Sequence, residues 1–332
     1  MEKYALIIEE LTKRFGKVLA LKGISFKASV GEIVGLLGPN GAGKTTTLKA
    51  IAGALKPTSG RVYVFGYDSF REQVKVRNLI GVVPELPGLS PELSVYDNLF
   101  FVGRIYGMKK HVVMDRIKEL SEMLELKDLL RIKYAKLSKG LKRRVDIAAA
   151  LIHDPKLLLL DEPTTGLDVI SASALREYIV KLPREGKTII LSSHYIDEVM
   201  NIAHKVILLV KGTKLVEGSP LELKRILKLD KHVKIILDKP IDSSVFDIIA
   251  KHIETKSIGY DLRFRHNIVE MRSSNVVKTI NEVSDLIRKA GHEIVDIEVV
   301  PPSWSDVFKK YIEGFSAKNC EACPLYRGGC IG

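Results

Sequence analysis

Glutamine is almost absent from this sequence: Gln73 is the only one in 332 residues. Scarce amides beside abundant Lys and Glu point to a heat-adapted source, a statement about stability and not about function. Cysteine occurs three times, at Cys320, Cys323 and Cys330. With no thiol before Cys320, a disulfide framework of the small secreted kind is excluded for the body of the chain. Long apolar runs are missing too. The densest, "KLLLLDEP" and "KVILLVKG", are strand length, well short of the roughly 20 residues that span a bilayer. The opening "MEKYALIIEELTKRFG" has neither an extended apolar region nor a small-residue cleavage site, so the expectation is a soluble, cytoplasmic chain. Sustained heptads are also lacking, which argues against long coiled-coil insertions.

What is present suits two domains, because domains mostly run to roughly 100–200 residues. Hydrophobic residues make up 46% and can bury a full core, while a formal charge of +12 fits nucleic acid, an anionic membrane surface or a phosphate-rich ligand. The basic residues are spread along the whole length, which suits a solvated surface equally well.

From residue 1 to about 220, short apolar strands alternate with helical stretches, the pattern of an α/β domain. "YALIIEEL", "EIVGLLG", "LIGVVPE", "KLLLLDEP", "KTIILSSH" and "KVILLVKG" read as strands, several of them apolar throughout, as in a sheet covered on both faces. Between about residues 86 and 150 the apolar spacing becomes helical, so a helical subdomain interrupts the sheet. After "EGSPLELKRILKLDK" the order becomes βαββαβ, the ferredoxin-like split arrangement; a strand-rich extension of the first domain fits the periodicity as well. "PPSWSDVFKKYIEGF" predicts a last helix, with Ser303 as its cap. The expected division is therefore 1–226, 227–300 and 301–332, the last comprising the helix and a cysteine-containing tail.

"GPNGAGKTT", Gly38 to Thr46, fits G-x-x-x-x-G-K-[ST] and follows an apolar strand. Gly38, Gly41 and Gly43, with Pro39, Asn40 and Ala42 between them, let the backbone curl its N–H groups around a phosphate chain at a helix start. Lys44 supplies charge for the β and γ phosphates, Thr45 a hydroxyl for Mg²⁺, and Thr46 one near the α phosphate. "LLLLDEP" ends an apolar strand in two acids. Asp161 is placed to hold Mg²⁺, and Glu162, on the other side of the strand, to polarise an attacking water. "LSKGLKRRV" offers the Ser138 hydroxyl and the bare Gly140 backbone at a helix start, which together form an anion site.

These motifs, in this order over roughly residues 1–220, resemble the nucleotide-binding subunit of an ATP-binding-cassette transporter: a P-loop ATPase with a mixed sheet and a helical subdomain. The resemblance implies an ATPase working with ATP and Mg²⁺. It implies that Phe15 stacks on adenine, that His194 reaches the γ phosphate, and that Asp168 lies in the loop between two subunits' sites. "LSKGLKRRV" takes the place of the family signature L-S-G-G-Q, with Lys139 and Leu141 as departures. In the family that element closes over the ATP of a second subunit, which implies a homodimer or heterodimer with Ser138 and Gly140 acting in trans. Glu85 stands where the family usually has a Gln that contacts Mg²⁺. A carboxylate can ligate Mg²⁺ as well, so the change bears on turnover and coupling.

Among cassette proteins, "LPGLSPELSVYDNLFFVGRIYG" and the closing "PPSWSDVFKKYIEG" resemble the separate ATPase subunits of drug, sodium and polysaccharide exporters. That implies a membrane permease partner, docked beside Glu85 to Leu99, and a peripheral position on the cytoplasmic face of the membrane. No nucleic-acid partner is expected. The alternative is a soluble cassette ATPase of the translation, repair or iron–sulfur assembly type. In the tail, Cys320, Cys323 and Cys330 supply three thiolates, one short of a tetrahedral zinc site; another metal, a cluster, a disulfide or free thiols are alternatives.

Overall fold

A computed structural model describes residues 3–300 apart from 87, 227–230, 257–258 and 274, together with Trp304 and Phe308. The chain divides into two compact units between Pro220 and Leu221.

The first unit runs β1 (Tyr4–Phe15), β2 (Val18–Ser29), β3 (Ile33–Leu37), α1 (Lys44–Ile51), β4 (Ser59–Val64), β5 (Tyr67–Asp68), α2 (Gln73–Leu79) and β6 (Ile80–Val83). It continues with α3 (Val95–Ile105), α4 (Lys110–Met123), α5 (Lys139–Leu151), β7 (Leu157–Asp161), α6 (Val169–Lys181), β8 (Thr188–Ser193), α7 (Ile196–Ile202), β9 (Lys205–Val210) and β10 (Thr213–Gly218). Two sheets result. One is antiparallel, in the order β2-β1-β4-β5, and the other has the order β10-β9-β3-β8-β7-β6. In the second, β9, β3, β8, β7 and β6 are mutually parallel and only the edge strand β10 is reversed. Every residue of β3, β7 and β8 is buried, as expected for parallel strands covered on both faces. β2 has the alternation of a one-sided strand, with Ile24, Phe26 and Ala28 buried. Its lysines and glycine hide that strand from a search for continuous apolar runs. The two sheets share one core, in which Leu6 and Phe26 meet Leu36, Leu159, Ile190 and Ile207, with Leu48 and Ile51 of α1 among them.

α3, α4 and α5 fill the interval between β6 and β7. Ser94 caps α3 by accepting from the Asp97 N–H at 3.0 Å and donating to its carboxylate at 2.5 Å, a reciprocal pair that fixes the entry to the helix. Val113, Ile117 and Leu120 form the buried stripe of α4, at the spacing of one helix face.

Parallel pairing sets the site. Leu37 lies beside Ser193, and Asp161 beside Ser192, so the segments leaving β3, β7 and β8 emerge at the same edge. Ligands of parallel α/β sheets bind at this carboxyl edge.

In the second unit, β11 (Lys231–Leu237), α9 (Ser243–Lys256), β12 (Tyr260–Arg265), β13 (Ile268–Ser273), α10 (Val276–Lys289) and β14 (Ile294–Val300) follow α8 (Pro220–Ile226), which begins at the junction. The sheet order is β12-β13-β11-β14, antiparallel throughout. With both helices as crossovers this is the ferredoxin-like split arrangement. Val233, Ile235 and Leu237 pack with Ile249, Ile253, Val283 and Ile287 in its core. Trp304 and Phe308 of the expected last helix are helical, their ring centroids 6.1 Å apart; Ser303 and the cysteine tail lie outside the described residues. Among the described residues no helix is long and apolar enough to cross a membrane.

Candidate functional site

The loop after β3 owes its shape to its glycines. Gly41 and Gly43 have φ of 77° and 104°, a region open to glycine at little cost. At Gly38 an added Cβ would lie 2.1 Å from the carbonyl oxygen of Leu209, and at Gly43 2.6 Å from Leu21 Cδ2, so neither position has room for a side chain. The loop ends in α1, whose first residue is Lys44; the N–H groups of a helix's first turn have no partner within the helix and attract anions. Pro39, Asn40 and Gly41 are exposed, Ala42 and Lys44 buried, and Thr45 and Thr46 half-buried.

Lys44 Nζ donates to the carbonyl oxygens of Gly38 (2.7 Å) and Pro39 (3.3 Å) and pairs with Glu162 Oε1 at 3.2 Å. Glu162 Oε2 meets His194 Nδ1 at 2.8 Å and accepts from the His194 N–H (3.3 Å) and the Thr165 hydroxyl (3.2 Å). The geometry thus brings Lys44, Glu162 and His194 together. Glu162 is also backbone-strained, with φ of +46°, a conformation that costs a non-glycine residue about 1–2 kcal/mol.

Asp161 belongs to a second cluster. Its Oδ1 accepts from Thr45 Oγ1 at 3.1 Å and from Ser192 Oγ at 2.5 Å, and Ser192 Oγ itself accepts the Glu162 N–H at 3.0 Å. A single hydroxyl therefore fixes both acids. Ser192 escapes a motif search; its signal is a polar pair closing the apolar run "TIIL" two residues before His194.

The side chains fit the expected ligands. Thr45 Oγ1 and Asp161 Oδ1 are hard oxygen donors of the kind Mg²⁺ takes, while Gly41, where an added Cβ would meet nothing within 4 Å, leaves the loop backbone open to a phosphate.

"LSKGLKRRV" is intact as a helix start. Ser138 caps α5 by accepting the Leu141 N–H at 3.3 Å, and a Cβ on buried Gly140 would come within 2.6 Å of Ser171 Oγ. Asp168 caps α6, accepting the Ser171 N–H (2.9 Å) and hydroxyl (2.7 Å). These bonds, the hydroxyl first, hold its carboxyl below the usual range. The basic run is not a uniform solvated face. Arg144 pairs with Glu125 at 2.9 Å, and Arg143 is only 7% exposed, its guanidinium on the backbone of the strand that carries Asp161 and Glu162.

Phe15 and Glu85, like Ser138, Gly140 and Asp168, stand apart from both clusters. Phe15, at the end of β1, is 48% exposed, with Lys13 Nζ 5.0 Å from its ring centroid. Glu85 is exposed, and the bond formed there joins Arg143 to the carbonyl of the preceding Pro84. Among the described residues no group of three or more His, Cys, Asp and Glu side chains is placed to hold a metal; Cys320, Cys323 and Cys330 lie outside them.

Sheet order, glycine loop and paired acids define a P-loop nucleotide-hydrolysing cassette. The ABC transporter family profile matches residues 21–165. The ABC transporter ATP-binding protein NatA of Bacillus subtilis is 41% identical over 203 residues, 61% of this chain and 82% of that protein. The Nod factor export ATP-binding protein I of Rhizobium sp. (strain N33) is 40% identical over 66% of this chain and 72% of its own length, and the linearmycin resistance ATP-binding protein LnrL of Bacillus subtilis 39% over 65% and 69%. Among solved structures, cbiO1 from Clostridium perfringens, part of an ABC transporter complex, has a TM-score of 0.63 at 33% identity, covering 68% of this chain and 94% of that one. The dimeric post-hydrolysis state of the cassette MJ0796 bound to ADP and Pi has a TM-score of 0.60 at 29% identity, covering 65% and 98%. The chain belongs to the ATP-binding proteins of ABC transporters, whose subunits are ATPases that dimerise and partner a membrane permease.

Proposed function

We propose that this chain is the ATP-hydrolysing subunit of an exporter, with Glu162 as its general base. The observation that carries the reading is the convergence of Lys44 and His194 on one carboxylate, Lys44 at 3.2 Å and His194 at 2.8 Å. Lys44 and the loop from Gly38 to Thr46 bind the phosphates, and Phe15 stacks on adenine. Thr45 and Asp161 would hold Mg²⁺, and the ion supplies charge neutralisation on the phosphate oxygens. When a phosphate chain becomes the partner of Lys44, Glu162 Oε1 is released to take a proton from water. The water oxygen then bonds to the γ phosphorus as the bond to the bridging oxygen of ADP breaks. His194 keeps Glu162 Oε2 in place during the transfer and reaches the γ phosphate.

Ser138 and Gly140 serve the ATP of a second subunit, with Asp168 between the two sites, so ATP closes a homodimer or heterodimer and hydrolysis reopens it. The closure passes to a permease through the surface from Glu85 to Leu99, with the subunit peripheral on the cytoplasmic face of the membrane. The names of two relatives, Nod factor export and linearmycin resistance, support the outward direction. Residues 227–300 form an accessory domain beyond the cassette.

The test uses the full chain. Glu162→Gln retains ATP binding, loses hydrolysis by at least about a hundredfold and accumulates an ATP-dependent dimer; turnover at the wild-type rate removes Glu162 from the role. Mixing Ser138→Arg with Lys44→Ala subunits recovers up to one working site per mixed dimer. No recovery counts against the shared site.

A further inference from the structure

Arg143 sits five residues beyond the helix cap Ser138, and the sequence gives it no role. Its guanidinium is nevertheless committed to four peptide carbonyls. Nε donates to Pro163 (2.9 Å), Nη2 to Asp161 and Glu162 (2.9 Å each), and Nη1 to Pro84 (2.6 Å). The nearest carboxylate, Asp146 Oδ2, is 3.8 Å from Nη1, and its other oxygen accepts the Tyr134 hydroxyl at 2.8 Å. Asp146 therefore offsets charge at a distance while the backbone receives the hydrogen bonds.

The four carbonyls come from two segments far apart in sequence. Asp161 ends β7, and Glu162 and Pro163 follow it in the turn where Glu162 takes its left-handed conformation. Pro84 immediately precedes Glu85. A buried carbonyl left without a donor is costly, and only a planar fork with five N–H groups can serve so many acceptors at once; a lysine has three. The same helix touches the loop that follows the acids: a Cβ on Gly166 would lie 2.1 Å from Lys139 Nζ, and one on Gly140 2.6 Å from Ser171 Oγ. The helix that begins at Ser138 is thus bound to the acid-bearing strand of its own chain.

We propose that Arg143 is a positioning residue which fixes the backbone beneath Glu162 and couples the half-site built on Glu162 to the half-site that Ser138 offers to the partner subunit. The second part rests on the shared-site reading above. Through Arg143, occupation of one ATP site is felt at the other, and Glu85 is drawn into the same link through Pro84.

The experiment compares Arg143→Lys and Asp146→Asn in the full chain by thermal melting, by binding of the fluorescent analogue trinitrophenyl-ATP, and by steady-state hydrolysis. Arg143→Lys keeps the charge beside Asp146 but cannot span Pro84 and the strand end together. The expected result is binding within about twofold of wild type and a kcat lower by about tenfold to a hundredfold, the usual cost of a misplaced reacting group. Asp146→Asn, which leaves the four carbonyl bonds in place, keeps kcat near wild type. Equal kcat losses in the two variants, or a loss in Arg143→Lys that disappears at temperatures where it is fully folded, would overturn the proposal. In mixed dimers with one Lys44→Ala subunit, Arg143→Lys is placed first in the Lys44→Ala chain and then in the other. The link predicts slower turnover from both placements; an effect only in the chain that carries the working Glu162 would overturn the link between half-sites. Recovery in the Ser138→Arg and Lys44→Ala mixture is the control: its failure sinks the shared site and with it the link, while the Arg143→Lys kcat still decides the positioning of Glu162.

Discussion

Lys44 and Glu162 are counter-ions: Nζ lies 3.2 Å from Oε1, and both side chains are less than a tenth exposed. A buried lysine holds its charge only where a partner compensates for the lost water. On the proposed reading Glu162 and the γ phosphate are rivals for one ammonium, and the neutral Glu162→Gln variant removes the rival. Its affinity for ATP should rise by about three- to tenfold, equivalent to about 1 kcal/mol, in a fluorescence titration with trinitrophenyl-ATP. Unchanged or weaker affinity would show that the pair does not compete with nucleotide.

The φ of +46° at Glu162 predicts an inversion of the usual ranking of alanine and glycine. Both substitutions delete the carboxylate, but only glycine adopts the left-handed region without strain. Glu162→Gly should be more stable than Glu162→Ala by about 1 kcal/mol in chemical denaturation. The reverse order would mean that the strand end relaxes in the variants.

Ser192 holds the Asp161 carboxylate at 2.5 Å and receives the Glu162 N–H. Groups that orient a metal ligand typically matter by about 10–100-fold. Ser192→Ala should raise the Mg²⁺ concentration needed for half-maximal hydrolysis by about tenfold while nucleotide binding in EDTA stays as in wild type. An unchanged Mg²⁺ titration would reduce Ser192 to packing.

His153 supplies a pH prediction. Its ring stacks on Tyr106 at 3.7 Å between centroids, Nε2 meets the Ile80 carbonyl at 2.9 Å, and Nδ1 is buried without a partner. Burial, opposed by that carbonyl, holds the imidazole below its ordinary value. The unfolded chain therefore binds the proton more readily than the native one. The contribution is complete above about pH 6.5, the unfolded value, and is lost as pH falls below it. Between pH 8 and pH 5 the melting temperature of wild type should fall further than that of His153→Gln. Parallel curves would exclude the imidazole as the source.

Legibility differed between strands, loops and side-chain partners. β3, β7 and β8 announced themselves as apolar runs because both of their faces are covered. β2 did not, since a one-sided strand with Lys22, Gly23 and Lys27 in it breaks the run. Gly38 to Thr46, Asp161 and Glu162 were readable because a phosphate loop and a strand-end acid pair need fixed residue types at fixed spacing. Arg143 was not. Nothing in "KRR" distinguishes a buried guanidinium from its half-buried neighbours, because its acceptors are backbone carbonyls, which every residue carries.

The sequence alone determined the class of chemistry, through residue types that only a nucleotide-hydrolysing loop and its acids require together, and it located the strands that are apolar throughout. Tertiary structure decided the pairings. Parallel register set Ser192 beside Asp161, the turn after β7 set Glu162 between Lys44 and His194, and the placement of α5 set Arg143 on carbonyls from residues 84 and 161–163. These contacts join residues remote along the chain, and a bond to a backbone oxygen or a shared hydroxyl is specified by position in space, which no local pattern of side chains encodes.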